Sequence, residues 1–320
     1  MTLVAVPSVA ESRWARVGPD GGAGLLYVAS AESSPSTVYT GNHDSLFRSD
    51  DFGETWREVV SGRLVEIQRL TIHPDDSEIL LAEDSLVGLR RSTDGGRTWT
   101  PVAAPQDPDR GLFTERIAFD AAAVAYAFQD DRDPGFVGIV RSDDDGASWS
   151  SCAEVPDDFI ERLSPVTDPR RAGWLYVVAE QGLWRSTDGC ATWSLVPSDD
   201  SATFHALVVD VDGGLWAARS STTQVRYSAD GGTTWSARSP QNGLQIRQLV
   251  ADPTTANRLH VLITSSLLTT EDGGATWTQT SPFDTDLNLP FYPFLHEMAI
   301  GHDPARSLWT TTPRGIERSI

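Results

Sequence analysis

The 320-residue sequence contains no lysine, so every one of its 25 strongly basic residues is an arginine. That absence removes Schiff-base chemistry, a P-loop lysine and a kinase-type lysine in one step. Two cysteines are too few for a disulfide scaffold or a cysteine-rich zinc module. No run of eighteen apolar residues occurs, so no membrane-spanning helix is expected. Basic residues are also outnumbered by 45 Asp and Glu, and a net charge of −20 repels phosphate backbones, which sets nucleic acid aside as a partner. His43, His73, His260 and His302 show no metal-ligand spacing, and the pairs Asp75-Asp76, Asp157-Asp158 and Asp199-Asp200 read as solvated turn residues. Neither a metal nor another cofactor is expected.

What is present is a repeat. The pattern Ser-x-Asp-x-Gly-x-Thr-Trp occurs six times, as SDDFGETW from Ser49, STDGGRTW from Ser92, SDDDGASW from Ser142, STDGCATW from Ser186, SADGGTTW from Ser228 and TEDGGATW from Thr270. The closing tryptophans, Trp56, Trp99, Trp149, Trp193, Trp235 and Trp277, recur at steps of 43, 50, 44, 42 and 42 along the chain. A period in the low forties is one four-stranded propeller blade. Within the octet, short Ser and Asp side chains accept hydrogen bonds from turn amides, Gly supplies positive φ, and Thr-Trp opens the next strand with an apolar anchor. The octet is thus a turn between a third and a fourth strand. Runs such as VYTG and LYVVAE upstream read as second strands, and QRLTIHP or RQLVADP as first strands of the blade that follows.

The two ends read as parts of one further blade. GIERSI stops where another octet should begin, at Arg318-Ser319, while Trp14 precedes Trp56 by one full repeat and resembles the strand after an octet. The expectation is all-β: a single seven-bladed β-propeller of four-stranded antiparallel blades over residues 14–320, closed by the N-terminal strand pairing into the C-terminal blade. A monomer is expected. Residues 1–13 read as an extension, and Ser8-Val9-Ala10 is similar to the small-residue end of an export signal, which points to an extracytoplasmic location.

The octets resemble Asp boxes, or BNR repeats, which recur in sialidases, sortilin-type receptors, xyloglucanases and the photosystem II assembly factor. The departures are Cys190 for Gly, Ser148 for Thr and Thr270 for Ser. The resemblance implies a propeller whose octets lie away from the active face. Size, blade number and octet density are most similar to the assembly factor, whose basic patch binds a protein partner. A sialidase would need an arginine triad, which Arg69, Arg116, Arg162 and Arg247 could supply, and a tyrosine such as Tyr292 near Glu297; the family's Phe/Tyr-Arg-Ile-Pro segment is absent. A xyloglucanase would need two propellers around a cleft.

Ligand-face loops join fourth to first strands and second to third strands, the longest being 103–115, 129–136 and 281–297. Counting onward from each tryptophan, Arg69, Arg162, His205 and Arg247 stand at offsets of 13, 13, 12 and 12, and Arg116 and His296 at offsets of 17 and 19. These six would place a basic residue near the channel mouth in six of seven blades, suited to a carboxylate, sulfate or phosphate. The expectation is a non-catalytic binding or assembly propeller for an acidic glycan or a peptide carboxylate; the alternative is a sialidase-like or other glycoside hydrolase. A second row, Arg48, Arg91, Arg141, Arg185 and Arg318, precedes octets and is expected to pack its stems on the sheet with heads in water. Cys152 and Cys190, in consecutive blades, are either a disulfide or two separate small residues.

Overall fold

The computed structural model describes residues 14–19, 25–42, 44–61, 67–129, 138–155, 165–199, 204–219, 224–239, 246–263, 266–280, 298–301, 307–312 and 315–319. The extension over 1–13 therefore lies outside the described residues. Seven four-stranded antiparallel sheets follow one another along the chain, and among the described residues there is no helix. Blade two is representative: its strands are Ile67–Ile72, Leu80–Asp84, Gly88–Ser92 and Thr100–Pro101, paired in that order. Second strands such as Leu80–Asp84, Ala125–Gln129 and Leu175–Ala179 are buried on both faces, because each sheet is sandwiched between two others. The core accordingly consists of clusters across seams, for instance Leu81 and Leu89 of blade two against Ala127, Val140 and Trp149 of blade three.

The ring closes as expected. Trp14–Arg16 forms the outer strand of the last blade, with Trp14, Ala15 and Arg16 opposite Ser319, Arg318 and Glu317. The order from outside in is Trp14–Arg16, Gly315–Ser319, Leu308–Thr312, Met298–Ile300.

All six octets share one geometry. The Ser or Thr hydroxyl donates to the Asp Oδ1 at 2.7–2.9 Å and accepts the N–H of the Gly-position residue at 2.8–2.9 Å. The Asp Oδ2 in turn accepts the hydroxyl of the Thr or Ser before the tryptophan at 2.5–2.7 Å. The Gly position has positive φ throughout, and Cys190 adopts it at 68°. Trp149 and Trp235 are buried, whereas Trp56, Trp99, Trp193 and Trp277 are half-buried, so the anchors are less uniform than the motif.

Four of the five arginines of the second row do not end in water. Arg91 donates to Asp145 O at 2.8 Å, Arg141 to Gly189 O at 3.0 Å and Arg318 to Phe52 O at 3.0 Å, each carbonyl belonging to the octet of the next blade. Arg48, 8% exposed, reaches Glu78 of blade two and the Tyr39 hydroxyl. These side chains clip neighbouring blades together, and Arg318 does so across the ring closure. A guanidinium has enough donors to serve a turn carbonyl that lacks a partner within its own sheet. A further clip is covalent: Cys152, after the outer strand of blade three, is disulfide-bonded to Cys190 in the octet of blade four, with Cα atoms 5.4 Å apart. The segment 103–115, expected as a loop, is largely a hairpin of Ala103–Ala104 with Asp107–Gly111, tied to blade two through Leu89, Val102 and Leu112.

Candidate functional site

Octet turns and first-to-second turns lie on the same face, since Gly95 N–H donates to Glu78 O, Gly189 N–H to Gly173 O and Gly273 N–H to Asn257 O. The starts of the first strands are therefore at the opposite end. First strands are neighbours around the ring and line the channel. Each described six-residue first strand carries a β-bulge near its start, which takes one residue out of the ladder. The bulged residues are Gln68, Arg116, His205 and Arg247.

Three of the six predicted site residues thus occupy bulges at one end of the ring. Arg116 and Arg247 are exposed, and Arg116 has a φ of 49°. His205 is half-buried, and its Nε2 lies 3.3 Å from Ile246 O of the next blade, so this nitrogen carries the proton and the ring is also a seam contact. Arg69 sits one position past the bulge, where Gln68 is the exposed residue. Its side chain is 39% exposed, and its guanidinium faces Glu83 at 3.5 Å. Its longer offset from the preceding tryptophan, 13 against 12 for His205 and Arg247, is this shift by one position. Arg162 and His296 lie outside the described residues, as do Tyr292 and Glu297.

Glu83 was missed in the sequence. It stands in the second strand of blade two, 8% exposed, where the same register position carries Gly41, Phe128, Val178, Ala218, Leu262 and Thr311 in other blades. Superposing the repeats on their octets would have exposed it as a carboxyl at that position. Burial raises its pKa to about 7 against the pull of Arg69 and the Arg116 N–H. This end of the ring therefore presents guanidinium groups, donors of the kind that suit an oxyanion, beside a buried carboxyl with a raised pKa. Among the described residues no group of three His, Cys, Asp or Glu side chains could hold a metal ion.

Residues 113–243 match the family model described as the DUF6242 beta propeller domain. Over its whole length the chain is similar to the solved structure of YCF48 bound to D1 peptide, with a TM-score of 0.70, 18% identity and 99% of each chain covered. The GH74 enzyme of Niastella koreensis superposes with a TM-score of 0.68 and 17% identity over 94% of this chain and 52% of that one. At such identities the likeness is one of fold: a seven-bladed propeller. Among curated proteins, a xyloglucanase of Paenibacillus sp is 28% identical over 193 residues, 56% of this chain. The chain spans only 16% of the length of that relative.

Proposed function

We infer that the chain is a non-catalytic binding or assembly propeller that recognises an anionic group, an acidic glycan or a peptide carboxylate, at the channel mouth. The observation that carries this reading is the placing of Arg116 and Arg247 on exposed bulges at one end of the ring, with Arg69 and His205 at the starts of neighbouring first strands. A bulge breaks the regular alternation of side chains along a strand, and a guanidinium matches an oxyanion in a bidentate way. Arg162 and His296 complete the set by their spacing alone. The peptide in the YCF48 structure supports a protein ligand, although this chain shares only the fold with it. A glycoside hydrolase is the second reading, favoured by the identity with the xyloglucanase. An extracytoplasmic location is supported by the Cys152–Cys190 disulfide, which persists in oxidising compartments.

The test is calorimetric titration with sialosides and with acidic peptides bearing a free C-terminal carboxylate. Replacing Arg116 or Arg247 by Ala should weaken binding of the recognised ligand more than tenfold, as expected for a shielded charge-assisted contact of about 1.5–3 kcal/mol. Unchanged affinity in both variants would remove the ring of basic residues from the account. Turnover of a glycan would establish the hydrolase instead.

A further inference from the structure

At the channel-mouth seam between blades two and three a carboxyl group is buried with one oxygen unused. Glu83 Oε2 faces the Arg69 guanidinium at 3.5 Å, and Oε1 has no hydrogen-bond partner. Beside it the first strand of blade three bulges at Arg116, whose N–H is directed at the same carboxyl. Thr114 and Gln129 stand opposite one another in blade three, and their Oγ1 and Oε1 atoms are likewise buried without a partner. Buried polar atoms are nearly always satisfied, and several orphans at the end of one seam mark a place where something else completes them.

Among the described residues, the charged groups that act on Glu83 include Arg69 on the first strand of its own blade and Arg116 on the neighbouring blade. On the adjacent third strand Leu89 lies opposite it, and Arg90 is held by Asp84 at 3.0 Å. Ionised, Glu83 occupies Arg69 and repels an arriving anion. Protonated, it frees the guanidinium and offers an O–H donor. Burial, with its pKa raised to about 7, puts both forms within reach at neutral pH.

We propose that Glu83 couples anion binding at the channel mouth to the uptake of one proton: an oxyanion enters between Arg69 and Arg116 while the protonated Glu83 donates to it from Oε1. The proton comes from solvent, and no other bond forms or breaks. This rests on the anionic-ligand reading above and adds to it a partner in the site and a pH dependence. Binding then weakens about tenfold per pH unit above pH 7, as one obligatory proton requires.

Inorganic sulfate is the probe, because it stays dianionic from pH 5.5 to 8.5 and any proton taken up belongs to the protein. Calorimetry in buffers of different ionisation enthalpy should show close to one proton bound per sulfate at pH 8 and close to none at pH 5.5. Glu83→Gln keeps the shape and a donor, so it should bind sulfate at pH 8 at least tenfold more tightly than the natural chain, without proton uptake. Proton uptake that survives Glu83→Gln, or sulfate binding that depends on Arg116 but not on pH, overturns the coupling while leaving the basic site standing. No sulfate binding at pH 5.5 overturns both.

Discussion

Reducing the Cys152–Cys190 bond unties blade three from blade four at the outer rim, where other ties among the described residues include Arg141 to Gly189 O, the Ala153 N–H to Cys190 O and Trp193 Nε1 to Ala153 O. The bond closes a loop with a sequence separation of 38. On the chain-entropy relation a loop of that length contributes about 4 kcal/mol by constraining the unfolded chain. With an unfolding entropy of about 2.1 cal/mol/K per residue, a ring of this size should lose about 6 °C in Tm. The two cysteines should not be equivalent. Cys190 replaces glycine at a φ of 68°, a conformation that costs an L-residue about 1–2 kcal/mol, and Cys190→Gly recovers this while losing the bond. Cys152→Ser loses the bond alone, so it should be the less stable variant by about 1 kcal/mol. Scanning calorimetry with and without a phosphine reductant measures the first effect, and the two variants side by side measure the second. A reductant shift below about 1 °C, or a Cys190→Gly protein no more stable than Cys152→Ser, would refute the argument.

Trp235 is 8% exposed, packs 4.7 Å from the Phe204 ring and donates to Gly232 O, so Trp235→Ala should cost about 3–5 kcal/mol in denaturant unfolding; half-buried Trp99 should cost roughly half as much. The octet aspartates have lowered pKa values: hydrogen bonds from Thr234 and Ser228 take Asp230 to about 2, and those from Thr276 and Thr270 take Asp272 to about 2. Because these folded-state values lie below the unfolded ones, their stabilisation is present above about pH 4 and is lost as pH falls toward 2, so Tm should drop steeply over that interval. Deleting residues 1–20 removes the outer strand Trp14–Arg16, the Val17–Ile316 backbone bond and the Val17 carbonyl that accepts from Trp56 Nε1. Both edges of the closure are then open, and a pronounced fall in Tm by differential scanning fluorimetry is expected.

Within each blade the sequence revealed the strands, because the Ser and Asp side-chain bonds that shape an octet turn reach no further than the fourth neighbour, as between Ser49 and Gly53 or Asp51 and Thr55. Such contacts depend only on local order, so their spacing reveals the strands, the blade period and the closure of the ring through Trp14. What joins one blade to the next was not legible in the same way. Arg318 meets Phe52 across a separation of 266, Arg141 meets Gly189 across 48, and nothing local in either segment names its partner. Cys152 and Cys190 stood as two possibilities until the seam brought their Cα atoms to 5.4 Å. The channel mouth lies between these extremes. Counting from the tryptophans located the ends of the first strands, but a bulge shifts register by one position, and that shift put Gln68 rather than Arg69 on the exposed side. The burial of Glu83 was decided by tertiary structure alone, since a carboxyl at the end of an apolar strand is solvated or enclosed according to what the adjacent blade lays over it, here the backbone of Arg116.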